Sequence, residues 1–304
     1  MVMPGPPKIV VVGSSNTDMV VKTDRLPQPG ETILGGEFTI VPGGKGANQA
    51  VAAARLGADV TLVARLGIDA FGESALENFQ EEGINTRFIV RDPDAPSGVA
   101  LIFVDGNGEN MIVVAPGANS RLSVEDVENA ADAIRNSSAL LLQLEVPMDA
   151  VVHAAEIAHT GRVKVLLTPA PARQLPRHLL EMVDVLIPNE IEAATLLGLS
   201  GEVDEQNARR LLDLGINTAV LTLGAKGALI VTPDATHLVP ARKVDAVDST
   251  AAGDAFAGAL AVRLASGSDI MTSVDYACRA AAVSVTKIGA QSSLPTSAEV
   301  DALC

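Results

Sequence analysis

The sequence predicts an α/β fold: a three-layer, mostly parallel, doubly wound sheet with a small β-sheet set outside it. Three observations support this class. Short apolar runs such as Ile9-Val10-Val11-Val12 alternate with amphipathic stretches along the 304 residues, the pattern of strands covered on both faces. Polar or glycine-bearing segments follow the ends of those runs, where open α/β sheets bind ligands. Two further pairs of apolar runs are joined by turn signals, and the first lies too close to the opening strand to leave room for a crossover helix.

The opening strand, 9–13, closes on Gly13 and runs into Ser14-Ser15-Asn16-Thr17-Asp18. Residues 19–23 and 32–41 read as strands joined by the turn Leu26-Pro27-Gln28-Pro29-Gly30, a proline and glycine signal. Pro42-Gly43-Gly44-Lys45-Gly46-Ala47-Asn48-Gln49-Ala50 then opens a helix carrying Ala47, Ala50, Ala53 and Ala54. Its glycines permit a tight turn and close approach of a ligand to the backbone. Asn48 lies in the first turn, towards whatever Asn16 and Asp18 face. A second buried strand, 60–64, precedes a helix over 72–83. Segments 97–104 and 110–114 flank Asp105-Gly106-Asn107-Gly108, a strong hairpin signal. With the earlier pair they supply four strands for one small antiparallel sheet.

Alternation then resumes with helix 124–134, strand 139–142 leading to Gln143-Leu144-Glu145, helix 148–159, strand 163–167 and a rigid loop over 168–172. Strand 183–187 leads to Asn189, placed to cap the next helix with Glu192 at its N3 position. Helix 203–213 and strand 219–222 follow, the strand ending in Leu223-Gly224-Ala225-Lys226-Gly227. A hairpin over 228–231 and 237–239, helices over 255–264 and 273–284, and the loop 286–290 close the fold.

A chain of this length can bury a large core. Ala, Val, Leu and Ile must fill it, because Trp is absent and aromatic residues make up only 2%. The formal charge of −15 argues against nucleic acid and anionic membrane surfaces as partners. It leaves room for a nucleotide, since backbone amides and a divalent cation can reverse the field inside a cleft. Cys278 and Cys304 are the only cysteines, and their placement does not suit a disulfide framework. The Pro-rich residues 1–7 fit no secretory pattern, and no apolar run is long enough to span a membrane. A cytoplasmic protein is the expectation. His153, His159, His178 and His237 lack metal-ligand spacing, so no built-in zinc site is expected.

The candidate chemistry centres on Val247-Asp248-Ser249-Thr250-Ala251-Ala252-Gly253-Asp254-Ala255-Phe256. Small residues between two acids suggest a loop rising into a helix N-terminus. The amides of Ala251, Ala252 and Gly253 would then lack intrahelical partners, and the helix dipole would favour an anion beside them. Asp254 belongs next to an anion only if it takes a proton or holds a cation. Together these features read as a phosphoryl-transfer site, an anion cradle with a base beside it. An ordinary helix with acids at its N-terminus is the competing reading, and the segment alone leaves both open. The glycine-rich segment at 43–46 is neither a Walker A loop nor a GxGxxG fingerprint; a tight turn into a core helix would also account for it. A purely structural cap would equally account for Asn189 and Glu192.

Taken in order, Asn16-Thr17-Asp18, Gly43-Gly44-Lys45-Gly46-Ala47-Asn48, Asn189-Glu190-Ile191-Glu192 and Asp248-Ser249-Thr250-Ala251-Ala252-Gly253-Asp254 resemble the ribokinase-like (PfkB) family of carbohydrate kinases. The resemblance implies a single kinase domain over 8–295, with lid strands inserted near 17–41 and 97–115 and tails at 1–7 and 296–304. It implies ATP-dependent phosphorylation of the 5-hydroxyl of D-ribose, giving D-ribose 5-phosphate and ADP. Asp254 would be the base that takes the hydroxyl proton, and Ala251, Ala252 and Gly253 would supply amides to the transferred phosphoryl group. Asn16, Asp18, Gly44, Lys45 and Asn48 would grip the sugar hydroxyls, with Glu145 nearby. Asn189 and Glu192 would arrange magnesium and the phosphates, the metal being met through water. Thr222, Gly224 and Gly227 would line the nucleotide side. Asp248, the backbone of Thr250 and the loop from Ser284 through Lys287 and Gly289 to Ser293 would form a monovalent-cation site for potassium. The implied assembly is a homodimer joined through the lid, with no nucleic acid or membrane partner.

Within the family, the pairing of Asn16-Thr17-Asp18 with the glycine-rich segment favours ribose over nucleosides or fructose. Two departures stand out. Ser249 occupies a position where threonine is common. Lys287-Ile288 replaces a frequent Arg-Lys pair, removing one positive charge beside the cation and nucleotide loops. The nearest alternative is a sibling kinase for 2-deoxyribose, a nucleoside or another sugar. The other is a catalytically silent sugar-binding module on the same fold, against which the intact Asp254 and its small-residue cradle argue.

Overall fold

The apolar runs become strands of a sheet covered on both faces. The structure, a computed structural model, describes residues 5–200 and 203–303. In chain order the strands are β1 (Lys8–Val12), β2 (Asn16–Lys22), β3 (Glu37–Gly43), β4 (Asp59–Gly67), β5 (Asn85–Asp92), β6 (Gly98–Val104), β7 (Asn110–Ala115), β8 (Ala139–Leu142), β9 (Lys164–Leu167), β10 (Val185–Leu186), β11 (Ala219–Thr222), β12 (Ala228–Val231) and β13 (Thr236–Val239). The α-helices are α1 (Lys45–Arg55), α2 (Ala70–Glu81), α3 (Val124–Asn129), α4 (Ala131–Arg135), α5 (Met148–Gly161), α6 (Arg177–Leu180), α7 (Glu190–Leu197), α8 (Glu205–Ala208), α9 (Ala252–Ala265), α10 (Ile270–Ser284) and α11 (Ser297–Ala302).

Nine strands form the main sheet in the order β13-β12-β11-β10-β9-β8-β1-β4-β5, antiparallel only where β12 meets β11 and β13. This is the three-layer α/β architecture expected from the sequence. Alternate residues of β1 enter opposite cores. Ile9 and Val11 pack with residues of α1, α2, α9 and α10, whereas Val10 and Val12 pack with those of α3, α4, α5 and α7. The strand order reverses at β1, whose neighbours β4 and β8 lead away in opposite directions. A binding crevice therefore belongs outside the carboxyl ends of β1 and β8.

A second sheet has the order β3-β2-β6-β7. It is not wholly antiparallel as expected: β2 and β6 run parallel, pairing Asn16 with Gly98 through to Lys22 with Val104. Both strands leave the body at one root and run outward together, each followed by its own antiparallel return. The second strand expected at 32–41 starts only at Glu37. Gly35 and Gly36 have φ of 111° and 112°, a left-handed region incompatible with a continuing strand.

Other elements differ from the sequence reading. Strand β5 was not anticipated, because Arg87, Arg91 and Asn85 break its apolar pattern; it is the half-exposed edge of the main sheet, where charges are expected. The helix expected over 124–134 is interrupted at Ala130, whose amide bonds the Val127 carbonyl at 3.0 Å. The helix expected over 203–213 is α8 followed by a 3₁₀ stretch, Arg209–Leu214. Residues 296–304, expected as a tail, contain α11, whose capping box joins Thr296 and Glu299. Cys278 is buried and free; Cys304 lies outside the described residues. No helix among the described residues is long and apolar enough to cross a membrane.

Small residues let α1 and α9 approach closely. A Cβ on Gly258 of α9 would lie 2.7 Å from Ala52 Cβ and 3.1 Å from the Gln49 carbonyl oxygen. Gly258→Val is expected to force these helices apart and lower stability by roughly 1–3 kcal/mol, the range for overpacked cores. Urea unfolding measures this as a lower midpoint at unchanged m-value; an unchanged midpoint would show that the contact does not constrain the packing.

Candidate active site

The first turn of α9 sits in the crevice. Ala251 precedes it with φ 60° and ψ 10°, a left-handed conformation that an alanine adopts at a cost of about 1–2 kcal/mol. This turn brings the small residues to the helix start. The Ala252 amide is partly engaged, donating to the Ser249 carbonyl at 3.2 Å, and so is not free as expected from the sequence. Gly253 and Asp254 hold first-turn positions whose amides have no intrahelical acceptor. Nothing lies within 4 Å of a Cβ built on Gly253, so the helix start is uncovered at that residue.

Asp254 follows them, 7% exposed. Its Oδ2 accepts from Asn48 Nδ2 at 2.9 Å and its Oδ1 from Gln49 Nε2 at 3.1 Å. Burial pushes its carboxyl up, while Lys45, Asn48 and Gln49 pull it down without cancelling the rise. The Gln49 amide is oriented in turn: its oxygen accepts from Gln143 Nε2 at 2.6 Å, and its nitrogen lies 3.3 Å from Thr168 Oγ1. Asn48 Oδ1 is buried without a partner, an acceptor left open beside the carboxylate.

The segments after β1 and β8 supply the opposite wall. Glu145 Oε2 accepts from the Lys45 amide at 3.0 Å and from the Ser14 hydroxyl. Asp18 on β2 is buried, and a Cβ on Gly43 would fall within 2.5 Å of three of its carboxylate atoms. Burial, Glu145 and Asp254 raise Asp18 to about 6, against a smaller pull from Lys45. Lys45 stands among four carboxylates. Burial opposes its charge, but Asp254, Glu145, Glu192 and Asp18 outweigh burial and raise its pKa. Gly44 has φ 89°, and a Cβ there would lie 2.6 Å from the Asn16 amide nitrogen. Asn16 is itself buried and accepts from Asn119 Nδ2 at 2.8 Å.

Asn189 and Glu192 make the expected reciprocal cap at the start of α7, with Glu192 N to Asn189 Oδ1 and Asn189 N to Glu192 Oε2 both at 2.8 Å. Asn189 Nδ2 also donates to Glu192 Oε1 at 3.0 Å. Burial raises the Glu192 pKa against the downward pull of Asn189 and Lys45. Thr222 ends β11 beside this cap, pairing with Asn189 across a β-bridge. Gly224 and Gly227 follow with φ of 54° and 110°. A Cβ on Gly227 would lie 2.0 Å from the Val239 carbonyl oxygen, so the fold itself requires glycine there.

Asp248 ties two loops together. Its Oδ1 accepts from the Thr250 amide at 2.9 Å and hydroxyl at 2.6 Å, and its Oδ2 from the Gly289 amide at 2.9 Å. Burial would raise its pKa, but these donors and Lys22 outweigh burial and hold it below the usual value. Ser284 Oγ is buried without a partner, whereas the Ser293 hydroxyl donates to the Ala290 carbonyl at 2.8 Å. Lys287 Nζ pairs with Glu299 at 2.6 Å, so its ammonium is held by α11 and only its backbone remains for the loop.

The structure thus gathers Asp18, Lys45, Asn48, Glu145, Glu192 and Asp254 around one crevice, and Asp248, Thr250 and Gly289 behind the helix start. Sequence reading assigned no role to Ser14, Gln49, Thr168, Asn119 or Gln143. Gln49 carried a readable signal, an amide beside Asn48 in the first turns of a helix otherwise lined with alanine. Asn119 and Gln143 carried none, since their partners are distant in sequence.

The family described as pfkB family carbohydrate kinase matches residues 6–297. The chain is similar to the ribokinase of Staphylococcus aureus, with 41% identity over 299 residues covering 97% of this chain and 98% of that one. It is as similar to the deoxyribokinase of Salmonella typhimurium, with 41% identity over 292 residues and 95% of each chain. Its fold is similar to that of Arabidopsis thaliana ribokinase complexed with ribose and ATP, at a TM-score of 0.89, 32% identity and 99% coverage of both chains.

The raised Asp18 predicts a stability effect with a defined sign. With a value of about 6 in place of 3.8, the folded chain keeps a proton that the unfolded chain has already released. The stabilisation from the protonated form is complete below the unfolded value and is lost as pH rises through about 6. Asp18→Asn cannot ionise, and is expected to stabilise the ligand-free protein at neutral pH by on the order of 2–3 kcal/mol, with the gain fading towards pH 3.8. Urea unfolding at a series of pH values checks this; a gain that stayed constant with pH would assign the effect to something other than the Asp18 charge.

Proposed function

The chain belongs to the pfkB family of carbohydrate kinases and is an ATP-dependent phosphotransferase; from that premise we propose that its acceptor is D-ribose and that it phosphorylates the 5-hydroxyl. The observation that carries the chemistry is the buried Asp254 carboxylate beside the uncovered Gly253 at the helix start. In this reading the sugar 5-oxygen attacks the γ-phosphorus of ATP while its proton passes to Asp254. The oxygen–phosphorus bond forms as the bond to the leaving ADP oxygen breaks. The amides of Gly253 and of its neighbours in the cradle meet the charge on the transferred group. Asn48 and Gln49 hold the carboxylate in place, so that it loses little entropy in reaching the proton.

Ribose is uncharged and rich in hydroxyls, and the opposite wall offers matching groups. Asp18 can accept two adjacent O–H groups, the unpartnered Asn48 Oδ1 can accept another, and Lys45 and Asn16 can donate. Leaving one such buried group unpaired costs about 1–3 kcal/mol. A ribose site of this kind should therefore turn over the 2-deoxy sugar less well. The similarity to a deoxyribokinase keeps 2-deoxyribose as the second reading.

ATP is used with magnesium in this family. Among the described residues no three His, Cys, Asp or Glu side chains converge on a metal-sized site. Both Glu192 oxygens already accept from Asn189, which suits a carboxylate that would meet magnesium through water. Bound magnesium would neutralise charge on the phosphates. A potassium ion would be held by the loops that Asp248 joins, where the unpartnered Ser284 hydroxyl fits an added cation. The second sheet would close over the sugar, and a second copy of the chain would cover its exposed Phe38, Ile40, Met111, Ile112 and Val113.

ADP release across a panel of sugars tests the substrate. Ribose is expected to be turned over fastest, and turnover of 2-deoxyribose or nucleosides with none of ribose would overturn the assignment. Asp254→Asn is expected to lower kcat by about 10²–10⁴-fold, the scale of general-base catalysis, with ribose binding largely retained. A kcat within a few-fold of wild type would remove Asp254 from that role. Replacing potassium by a bulky organic cation is expected to slow turnover; an unchanged rate would reject the cation site.

A further inference from the structure

We propose that Asn119 is a positioning residue that fixes Asn16 as a hydrogen-bond donor to the sugar, an inference that rests on the sugar site just described. Asn119 is 1% exposed and lies in the 3₁₀ turn Gly117–Arg121, which follows the last strand of the small sheet. Its amide uses both ends. Oδ1 accepts from the Ser15 amide at 2.9 Å, while Nδ2 donates to the Ser15 carbonyl at 3.0 Å and to Asn16 Oδ1 at 2.8 Å. Turning the Asn119 amide over would set its oxygen against two other oxygens and its nitrogen against an N–H, so its orientation is determined.

That orientation determines the next one. With Oδ1 of Asn16 held by Asn119, the Asn16 Nδ2 is the end that faces away, and it has no protein acceptor among the described residues. A flipped Asn16 would place two NH₂ groups together. There is no room to escape by moving: a Cβ on Gly98 would lie 2.3 Å from both Asn119 Nδ2 and Asn16 Oδ1. Asn16 is thereby a donor, complementing the acceptors Asp18 and Asn48 Oδ1.

The turn carrying Asn119 is itself anchored to the body. Ala118 N donates to the Pro96 carbonyl at 2.7 Å, and Arg65 Nη1 donates to the Arg121 carbonyl at 3.0 Å. Arg65 also pairs with Asp92 and Asp126, each at 2.8 Å, and Arg121 pairs with Asp92 at 3.1 Å. Strands β2 and β6 start, and β7 ends, around this point. Asn119 thus carries the rigidity of the main sheet to a sugar-facing side chain without touching the sugar.

The test is a double-mutant cycle read by calorimetric binding of ribose and by the KM values for ribose and ATP. Asn16→Ala, Asn119→Asp and the pair are compared, with Asn119→Ser as an uncharged second variant should the aspartate variant fold poorly. Asn119→Asp keeps the acceptor for Ser15 N and removes the donor to Asn16, together with the one to the Ser15 carbonyl. Each single variant is expected to weaken ribose binding roughly tenfold or more, the scale of one lost buried hydrogen bond, with the KM for ATP within a few-fold of wild type. In the Asn16→Ala background either Asn119 variant should cost clearly less ribose binding than in the wild type, because Asn16 is gone and only the Ser15 bonds remain to be lost. Losses that multiply would overturn the proposal, since Asn119 would then act on the fold and not through Asn16. An Asn16→Ala variant that binds ribose normally would instead overturn the assignment of Asn16 to the sugar site.

Discussion

The structure depends on keeping one carboxylate in place where water is largely excluded. A buried carboxylate without donors would take up a proton or pull the site apart. Asp254 is supported against both by two side-chain amides, each bonded to a different oxygen, and by its place in the first turn of α9, where the helix dipole favours negative charge. These supports hold the charge against burial without cancelling burial's upward push. A carboxylate left more basic than usual and fixed in direction has the properties needed of a base for a sugar hydroxyl.

Meeting that constraint dictates much of the packing. Asn48 and Gln49 reach Asp254 only because α1 and α9 lie almost backbone to backbone, which Gly258, Ala52 and Ala53 permit. The low aromatic content follows from the same need, since alanine-lined helices pack close to one another and to the sheet. Lys45 then balances the local charge. Among the described residues it is the ammonium that stands with Asp254, Glu145, Glu192 and Asp18, so the crevice remains acidic. In a chain of net charge −15 there is no general positive field to attract a polyphosphate.

Most of the architecture was legible because its signals are local. Continuous apolar runs marked β1, β4, β8, β9 and β11, and the reciprocal cap at Asn189 and Glu192 was readable from spacing alone. Each miss has a physical cause. Strand β5 is an edge, so its charged residues conceal its pairing. The parallel contact of β2 with β6 joins segments about eighty residues apart, and nothing in either segment records it. Ala252 was expected to offer a free amide, but the left-handed turn at Ala251 directs it to Ser249. The helix α11, where the sequence suggests only a tail, supplies Glu299 as the partner of the Lys287 ammonium.

Much of the crevice's hydrogen-bonding polarity comes from amide side chains, and this is why the sequence conceals so much of it. An amide side chain offers a donor at one end and an acceptor at the other, and only its neighbours decide which end faces a ligand. Here the neighbours decide each case. Asp254 takes the nitrogen of Asn48 and leaves its oxygen open. Gln143 donates to the oxygen of Gln49, so that its nitrogen meets Asp254. Asn119 takes the oxygen of Asn16 and leaves its nitrogen. An aspartate or lysine at these positions would have announced its polarity in the sequence. Asparagine and glutamine acquire theirs only when β1, the root of the small sheet, α1 and α9 come together, so the polarity of this crevice is a property of the folded chain.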